Sequence, residues 1–312
     1  MIKYVVTGGA GFIGSALVRG LLREGTPKVI VIDNLLTGHE KNLEEVRTRV
    51  ELHRADIRRY EEIADIMRGV DIVFHEAAIP SVPRSIDDPI PSHQINLDGT
   101  FQVLRAAQEG GVKRVVYAGS SSAYGDSAVL PKVETMLPAP KSPYALQKLA
   151  GEYYATVFTS CFGLETVSLR YFNVFGPRQD PSSPYSGVLS VFMKAIVERR
   201  PPTIFGDGGQ SRDFTYVEDV VSLNLKAALA KGVAGKVYNA GNGGRVTLNQ
   251  AWDLLQKIEN VTIAPQYGPI RAGDVRDSQA DITAAVACLG HAPQFSFEQG
   301  LRLTLDWFRK QL

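Results

Sequence analysis

The 312-residue chain holds only two cysteines, Cys161 and Cys288, far apart and without metal-ligand spacing. A disulfide scaffold and a zinc site are therefore not expected, and no metal is called for. Charge of one sign is also missing: 34 Lys+Arg stand against 33 Asp+Glu, a formal net charge of +1. A nucleic-acid or membrane-surface binder would carry a basic surplus. No apolar run approaches the roughly 18 residues of a spanning helix. The start, Met1-Ile2-Lys3-Tyr4-Val5-Val6, lacks the layout of a secretory leader. Internal repeats, low-complexity tracts and charge runs are absent as well. What is left is 44% hydrophobic and 21% charged residues, ordinary for a soluble, cytoplasmic chain with a large core.

What is there is a rhythm. Residues 3–7 read as a buried strand, followed by a helical pattern with Phe12, Ile13, Ala16, Leu17, Leu21 and Leu22 on one face. Lys28–Asp33 is a second strand without alternation, as a parallel strand covered on both faces should be. Helices near 60–69, 93–109 and 143–160 alternate with strands at 71–75, 113–118 and 164–170. The pattern predicts an α/β fold built on a doubly wound parallel (Rossmann) sheet over residues 1–170. After Tyr171 come Gly176-Pro177-Arg178, Asp180-Pro181-Ser182-Ser183-Pro184 and Arg200-Pro201-Pro202, which mark loops. Residues 171–312 read as a smaller α/β lobe for substrate, with helices at 187–199, 218–231, 247–258 and 297–310. The chain is expected to return to the first domain around 211–242.

The first strand enters Thr7-Gly8-Gly9-Ala10-Gly11-Phe12-Ile13-Gly14. Gly8 and Gly11 allow a tight turn and close approach to a pyrophosphate, and Gly14 lets the helix pack near the strand. The helix start adds unpaired N–H groups and a positive dipole end. Asp33 ends the second strand, where a carboxylate binds ribose hydroxyls and repels a 2′-phosphate; NAD is favoured over NADP. Asn34 and Gly38 form the surrounding loop, and Asp56-Ile57, after a third strand, suits the adenine edge.

Ser142-Pro143-Tyr144-Ala145-Leu146-Gln147-Lys148 sets a Tyr and a Lys four apart at a helix start, on one face. A nearby ammonium favours tyrosinate, so Tyr144 is a candidate general base with a lowered pKa. Ala118-Gly119-Ser120-Ser121-Ser122-Ala123-Tyr124-Gly125 follows the fifth strand, at the end where open α/β sheets place their chemistry.

Together TGGAGFIG, Asp33, SSSAYGD, SPYALQK and RYFNVFGP resemble the extended short-chain dehydrogenase/reductase superfamily, over nearly the whole chain. Within it the chain is most similar to nucleotide-sugar 4-epimerases, and among these to UDP-N-acetylglucosamine 4-epimerases. The resemblance implies a catalytic Ser120, Tyr144 and Lys148, with Ser121 and Ser122 lining the same pocket. It implies tightly bound NAD contacted also by Phe12, Ile13, Ala77, Ala78 and Phe172. For the substrate it implies Asn173, Arg212 and Arg271 at the diphosphate, and Asp274 at the uridine ribose. Val188, Leu189 and Phe205 would flank the uracil, and Ser81, Arg84 and Ser85 would border the sugar. Ser278 matches a position where strict UDP-glucose/UDP-galactose epimerases carry a bulky Tyr, and a small residue leaves room for a 2-acetamido group. A homodimer through the helices near 93–109 and 143–160 is also implied.

Several rivals remain in view. A 4,6-dehydratase needs an adjacent Asp-Glu where this chain has Ser121 and Ser122, and UDP-glucuronate decarboxylases carry a Glu there. A UDP-glucose or UDP-glucuronate 4-epimerase is the alternative within the same reaction. A non-catalytic NAD-binding module would commonly have lost the Tyr or the Lys; both are present.

Overall fold

The computed structural model describes residues 2–180, 187–270 and 275–311. Strand β1 (Tyr4–Thr7) leads to α1 (Phe12–Arg23), β2 (Val29–Ile32), a 3-10 segment over Glu40–Arg49 and β3 (Val50–His53). Next come α2 (Tyr60–Met67), β4 (Ile72–His75), α3 (Val82–Asp87), α4 (Pro89–His93), α5 (Thr100–Glu109), β5 (Arg114–Ser120), α6 (Pro143–Phe162) and β6 (Glu165–Tyr171). The remainder forms β7 (Val174–Phe175), α7 (Val188–Val197), β8 (Thr203–Phe205), β9 (Ser211–Arg212), β10 (Thr215–Tyr216) and α8 (Val217–Leu229). It ends with β11 (Lys236–Ala240), β12 (Val246–Thr247), α9 (Leu248–Glu259), β13 (Gln266–Gly268), α10 (Thr283–Leu289) and α11 (Phe297–Arg309).

Seven strands make one parallel sheet in the order β11-β6-β5-β4-β1-β2-β3. Strands β1 to β3 run outward one way and β4 to β6 the other, so the order reverses between β1 and β4. A crevice opens at such a reversal, beyond the carboxyl ends of the strands. Strands β1, β2 and β4 are largely apolar, and consecutive residues serve opposite faces. Val6, Phe74 and Val116 belong to one core with α1 and α8, through Leu17, Leu21 and Val221. Val5, Val73 and Val115 belong to another with α2 and α5, through Ile63, Met67, Val103 and Leu104. The first core runs on into the C-terminal elements, taking in Phe192, Trp252 and Leu305.

The expected single helix at 93–109 is three pieces. It starts at Pro89, passes through a π-helical stretch over Gln94–Gly99, and only then becomes α5. Within that stretch Asn96 holds Ile79 by both backbone groups, at 2.8 and 3.1 Å, and reaches Gln147 of α6 at 2.9 Å. A side-chain clamp of this kind pins the Ala77–Pro80 loop over the crevice. The C-terminal lobe adds three two-stranded ribbons, β10-β7, β12-β9 and β13-β8. No helix among the described residues is long and apolar enough to cross a membrane.

Candidate active site

A cleft of about 720 Å³ lies at the carboxyl ends of β1, β4, β5 and β6. At its base Gly8 has φ +70°, and a Cβ there would stand 2.7 Å from Ala77. A Cβ on Gly14 would stand 2.2 Å from the Gly8 carbonyl oxygen. The turn is thus closed to side chains on both sides, and its backbone is left facing the cleft with the start of α1. Phe12, Ile13, Gly38, Ala77, Ala78 and Ile57 line the same wall.

Asp33 follows β2 and is nearly buried. Its carboxylate accepts from Ala10 N at 2.9 Å and Leu35 N at 2.8 Å, which fixes it at the cleft edge. Burial raises its pKa, opposed by those two backbone bonds. Asn34 reaches Asp56 at 3.2 Å. Asp56 is not on the wall: its carboxylate is held by Arg58 at 2.6 Å, which lowers its pKa to about 2. Ile57 takes the wall position, while Asp56 fixes the loop behind it.

Ser142 caps α6 by accepting from Ala145 N at 3.1 Å, with Pro143 in the first turn. That cap sets the register of Tyr144 and Lys148. A second tether, Tyr144 N to Ser85 Oγ at 3.1 Å, joins α6 to α3. The Tyr144 phenol meets the Ser120 hydroxyl, and Ser120 Oγ lies 2.8 Å from Ser122 Oγ. Lys148 is buried and gives its ammonium to Ala118 O at 2.9 Å. Here one expectation is corrected. The Tyr144 pKa is raised, not lowered: burial dominates and only the Ser120 bond opposes it. Burial also lowers Lys148 to about 8, against the pull of Glu76.

On the far wall Asn173 donates to Asp213 O and to Ser278 Oγ, each at 3.1 Å. Both amide protons are thus used within the protein. Ser278 is 8% exposed and lines the cleft, as do Arg212, Arg84, Ser81, Ser121 and Ser122. The Arg212 guanidinium is steadied by Ser211 O and Arg276 O, at 3.0 and 2.8 Å. Ser81 caps α3 through Arg84 N at 3.1 Å. Phe172 is buried and lines the cleft. Val188, Leu189 and Phe205 are not brought to the wall the described residues form; Leu189 packs in the core. Arg271 and Asp274 lie outside the described residues.

Two of the wall residues that carried no role in the sequence reading bear on the charge of the site. Arg178 lines the cleft, pairs with Glu45 at 2.8 Å, and with burial depresses Arg19 to about 10. Its signal was the Gly176-Pro177-Arg178 loop itself, an arginine held on a turn that faces the glycine motif. Glu76 is the other. His75 beside it is buried and held neutral, its pKa lowered to about 3 chiefly by burial.

Residues 4–241 match the NAD dependent epimerase/dehydratase family. The chain belongs to that family. NAD is the cofactor of this epimerase/dehydratase. Three solved structures resemble it over essentially their whole length. The UDP-glucose 4-epimerase of Thermotoga maritima with UDP-glucose is 38% identical, with 99% of each chain covered and a TM-score of 0.94. A UDP-N-acetylglucosamine 4-epimerase from Methanobrevibacter ruminantium, in complex with UDP-N-acetylmuramic acid, is 36% identical over 100% of this chain and 99% of that one, TM-score 0.94. The UDP-glucuronic acid 4-epimerase of Bacillus cereus, with UDP-glucuronic acid and NAD, is 32% identical, 100% of each chain covered, TM-score 0.93.

Proposed function

We propose that the chain is a UDP-sugar 4-epimerase that interconverts UDP-N-acetylglucosamine and UDP-N-acetylgalactosamine. The turn at Gly8, Gly11 and Gly14 fits the group it would hold, because a Cβ at either end would fill the cradle. Backbone N–H groups there and the start of α1 would hold the pyrophosphate, with Arg178 lining the same cleft. Asp33 binds the adenosine ribose, and Tyr144 and Lys148 the nicotinamide ribose. What bound NAD supplies is a reversible hydride acceptor for carbon 4.

The chain's residues handle the proton. Tyr144 Oη takes it from the 4-hydroxyl, with Ser120 Oγ sharing the same oxygen. Lys148 supplies the positive charge that offsets a tyrosinate in a buried site. The ketone turns over in the wide cleft, and Tyr144 Oη returns the proton to oxygen 4. Ser121 and Ser122 supply hydroxyls where a dehydratase needs carboxyls, which favours inversion over loss of water.

The observation that carries the sugar assignment is Ser278, a small side chain on the cleft wall where an aromatic ring would take the room of an acetamido group. Assays of carbon-4 inversion on UDP-N-acetylglucosamine, UDP-glucose and UDP-glucuronate test it. The acetamido sugar should give the highest kcat/KM. A higher value for either other sugar overturns the preference, and loss of water or carbon dioxide overturns the reaction. We propose also that α5 and α6 pair two copies of the chain, since Phe101, Tyr153, Tyr154, Val157 and Phe162 are exposed on them. Light scattering at micromolar concentration should give a dimer mass; a monomer mass overturns it.

A further inference from the structure

Glu76 stands just past β4, its N–H donating to Thr7 O at 3.1 Å, so its backbone is fixed in line with β1. Its side chain lines the cleft. The carboxyl accepts from the Tyr171 phenol at 2.6 Å, at the end of β6. Asn224 of α8 donates to that phenol oxygen at 2.8 Å and to Val220 O at 2.9 Å. A phenol has one proton, and the Glu76 carboxyl at 2.6 Å is a closer acceptor for it than Asn224 Oδ1 at 3.2 Å. A glutamate is therefore built into the wall by three elements, in a site whose proposed chemistry gives it no part.

Its charged neighbour on the same cleft is Lys148, whose ammonium donates to Ala118 O of β5 at 2.9 Å, one residue past the Tyr117 that pairs with His75. Glu76 raises the Lys148 pKa against burial, and Lys148 lowers that of Glu76, which burial pushes up to about 7. The other titratable groups nearby are His75, held neutral, the Tyr144 and Tyr171 phenols, both raised by burial, Tyr117, whose ring lies 5.2 Å from the Lys148 ammonium, and Glu152 one turn along α6, committed to Arg170. Of these groups, Glu76 is the one that can oppose the Lys148 charge at neutral pH.

We propose that Glu76 is a positioning residue: tethered by Tyr171 and Asn224, it is the counter-charge that keeps Lys148 cationic on the face of α6 that carries Tyr144. The inference rests on reading Lys148 as the partner of Tyr144. It predicts a linkage between the two side chains that is measurable without turnover.

The test is Glu76→Gln, in protein carrying its NAD and labelled with 13C at the lysine ε-carbon. The Lys148 signal is identified by its loss in Lys148→Met. In an NMR titration Lys148 should lose its proton about one pH unit lower than in wild type. An unchanged midpoint overturns the proposal, whatever sugar the enzyme turns over. In turnover, a one-unit shift gives a loss of roughly eightfold at pH 8.5 and less than twofold at pH 6, where Glu76 is itself protonated in wild type. Glu76→Asp should restore most of the alkaline activity. An equal loss at every pH marks a structural role and overturns the proposal. If Glu76→Gln does not fold, Tyr171→Phe keeps the carboxyl and removes its tether; it should shift Lys148 downward by less, and no shift is again decisive against the idea.

Discussion

The two halves of the cleft are built differently. On the sheet side, β5 and β6 end together, and Ser120 is the last residue of β5 while Tyr144 and Lys148 stand one helical turn apart on α6. On the opposite side the strands are two or three residues long. Position there is held by side-chain bonds between distant segments: Asn173 to Ser278, 105 residues apart, and Asp213 to Ala280 N, 67 apart. Asp213 alone ties three backbone N–H groups, those of Asn242, Gly243 and Ala280, at 2.9 to 3.0 Å. Regular elements fix the chemistry, and a web of polar contacts shapes the substrate wall. A rigid frame suits proton transfer, and an adjustable wall suits a choice among sugars.

Substitutions can break that contrast, and the largest effect belongs to the sheet side. Tyr144→Phe should keep the fold and NAD but lose about 10²–10⁴-fold in kcat, the usual cost of a positioned acid-base group. A variant within threefold of wild type would show that another group moves the proton.

The frame itself has a weak point. Arg170 of β6 and Glu152 of α6 form a buried, two-pronged ion pair at 2.9 and 2.7 Å, each residue 2% exposed. Glu152→Ala leaves the guanidinium uncompensated and should destabilise the protein by about 3–5 kcal/mol in urea unfolding. A change below about 1 kcal/mol would mean that the catalytic helix is held by packing alone.

On the substrate side Ser278→Tyr should alter choice rather than chemistry. Overpacking a formed pocket costs roughly 1–3 kcal/mol, so activity on acetamido sugars should fall about 5- to 150-fold relative to UDP-glucose and UDP-galactose. The same substitution removes the bond to Asn173, so Ser278→Ala, which loses the bond and keeps the room, is the control. An equal loss on both sugar pairs would place the effect in Asn173 and not in space for the acetamido group.

The smallest effect is on added cofactor. Chemistry that returns its hydride in each cycle gives no reason to release NAD. Purified protein should contain it, and supplementing the assay should change the rate by less than about twofold. Strict dependence on added NAD, with no nicotinamide in the denatured protein, would contradict tight retention.

Much of the sheet side was legible because its signals are local. Glycines at a strand-to-helix turn, a Ser-Pro helix start and an i,i+4 pair are decided by residues within a few positions of one another. The sequence read the 93–109 region as one helix because its apolar spacing is continuous. Nothing in that spacing announces that Asn96 will clamp a loop some 17 residues back. Leu189 was assigned to the uracil by resemblance; in the fold its side of α7 faces the core beside Phe192 and Trp252.

The sequence by itself determined the alternation of the main sheet strands with α1, α2, α5 and α6, the glycine turn with Asp33, and the register of Tyr144 against Lys148. Short-range backbone preferences and apolar periodicity are enough for these. Only the tertiary structure decided that Glu76 meets Tyr171 across β5, that Asn173 spends its amide on Ser278, and that burial lifts the Tyr144 phenol while Lys148 turns to Ala118 O. Such contacts depend on which elements lie side by side and on how much water they exclude. Burial and long-range pairing belong to the packed fold, and no window of neighbouring residues contains them.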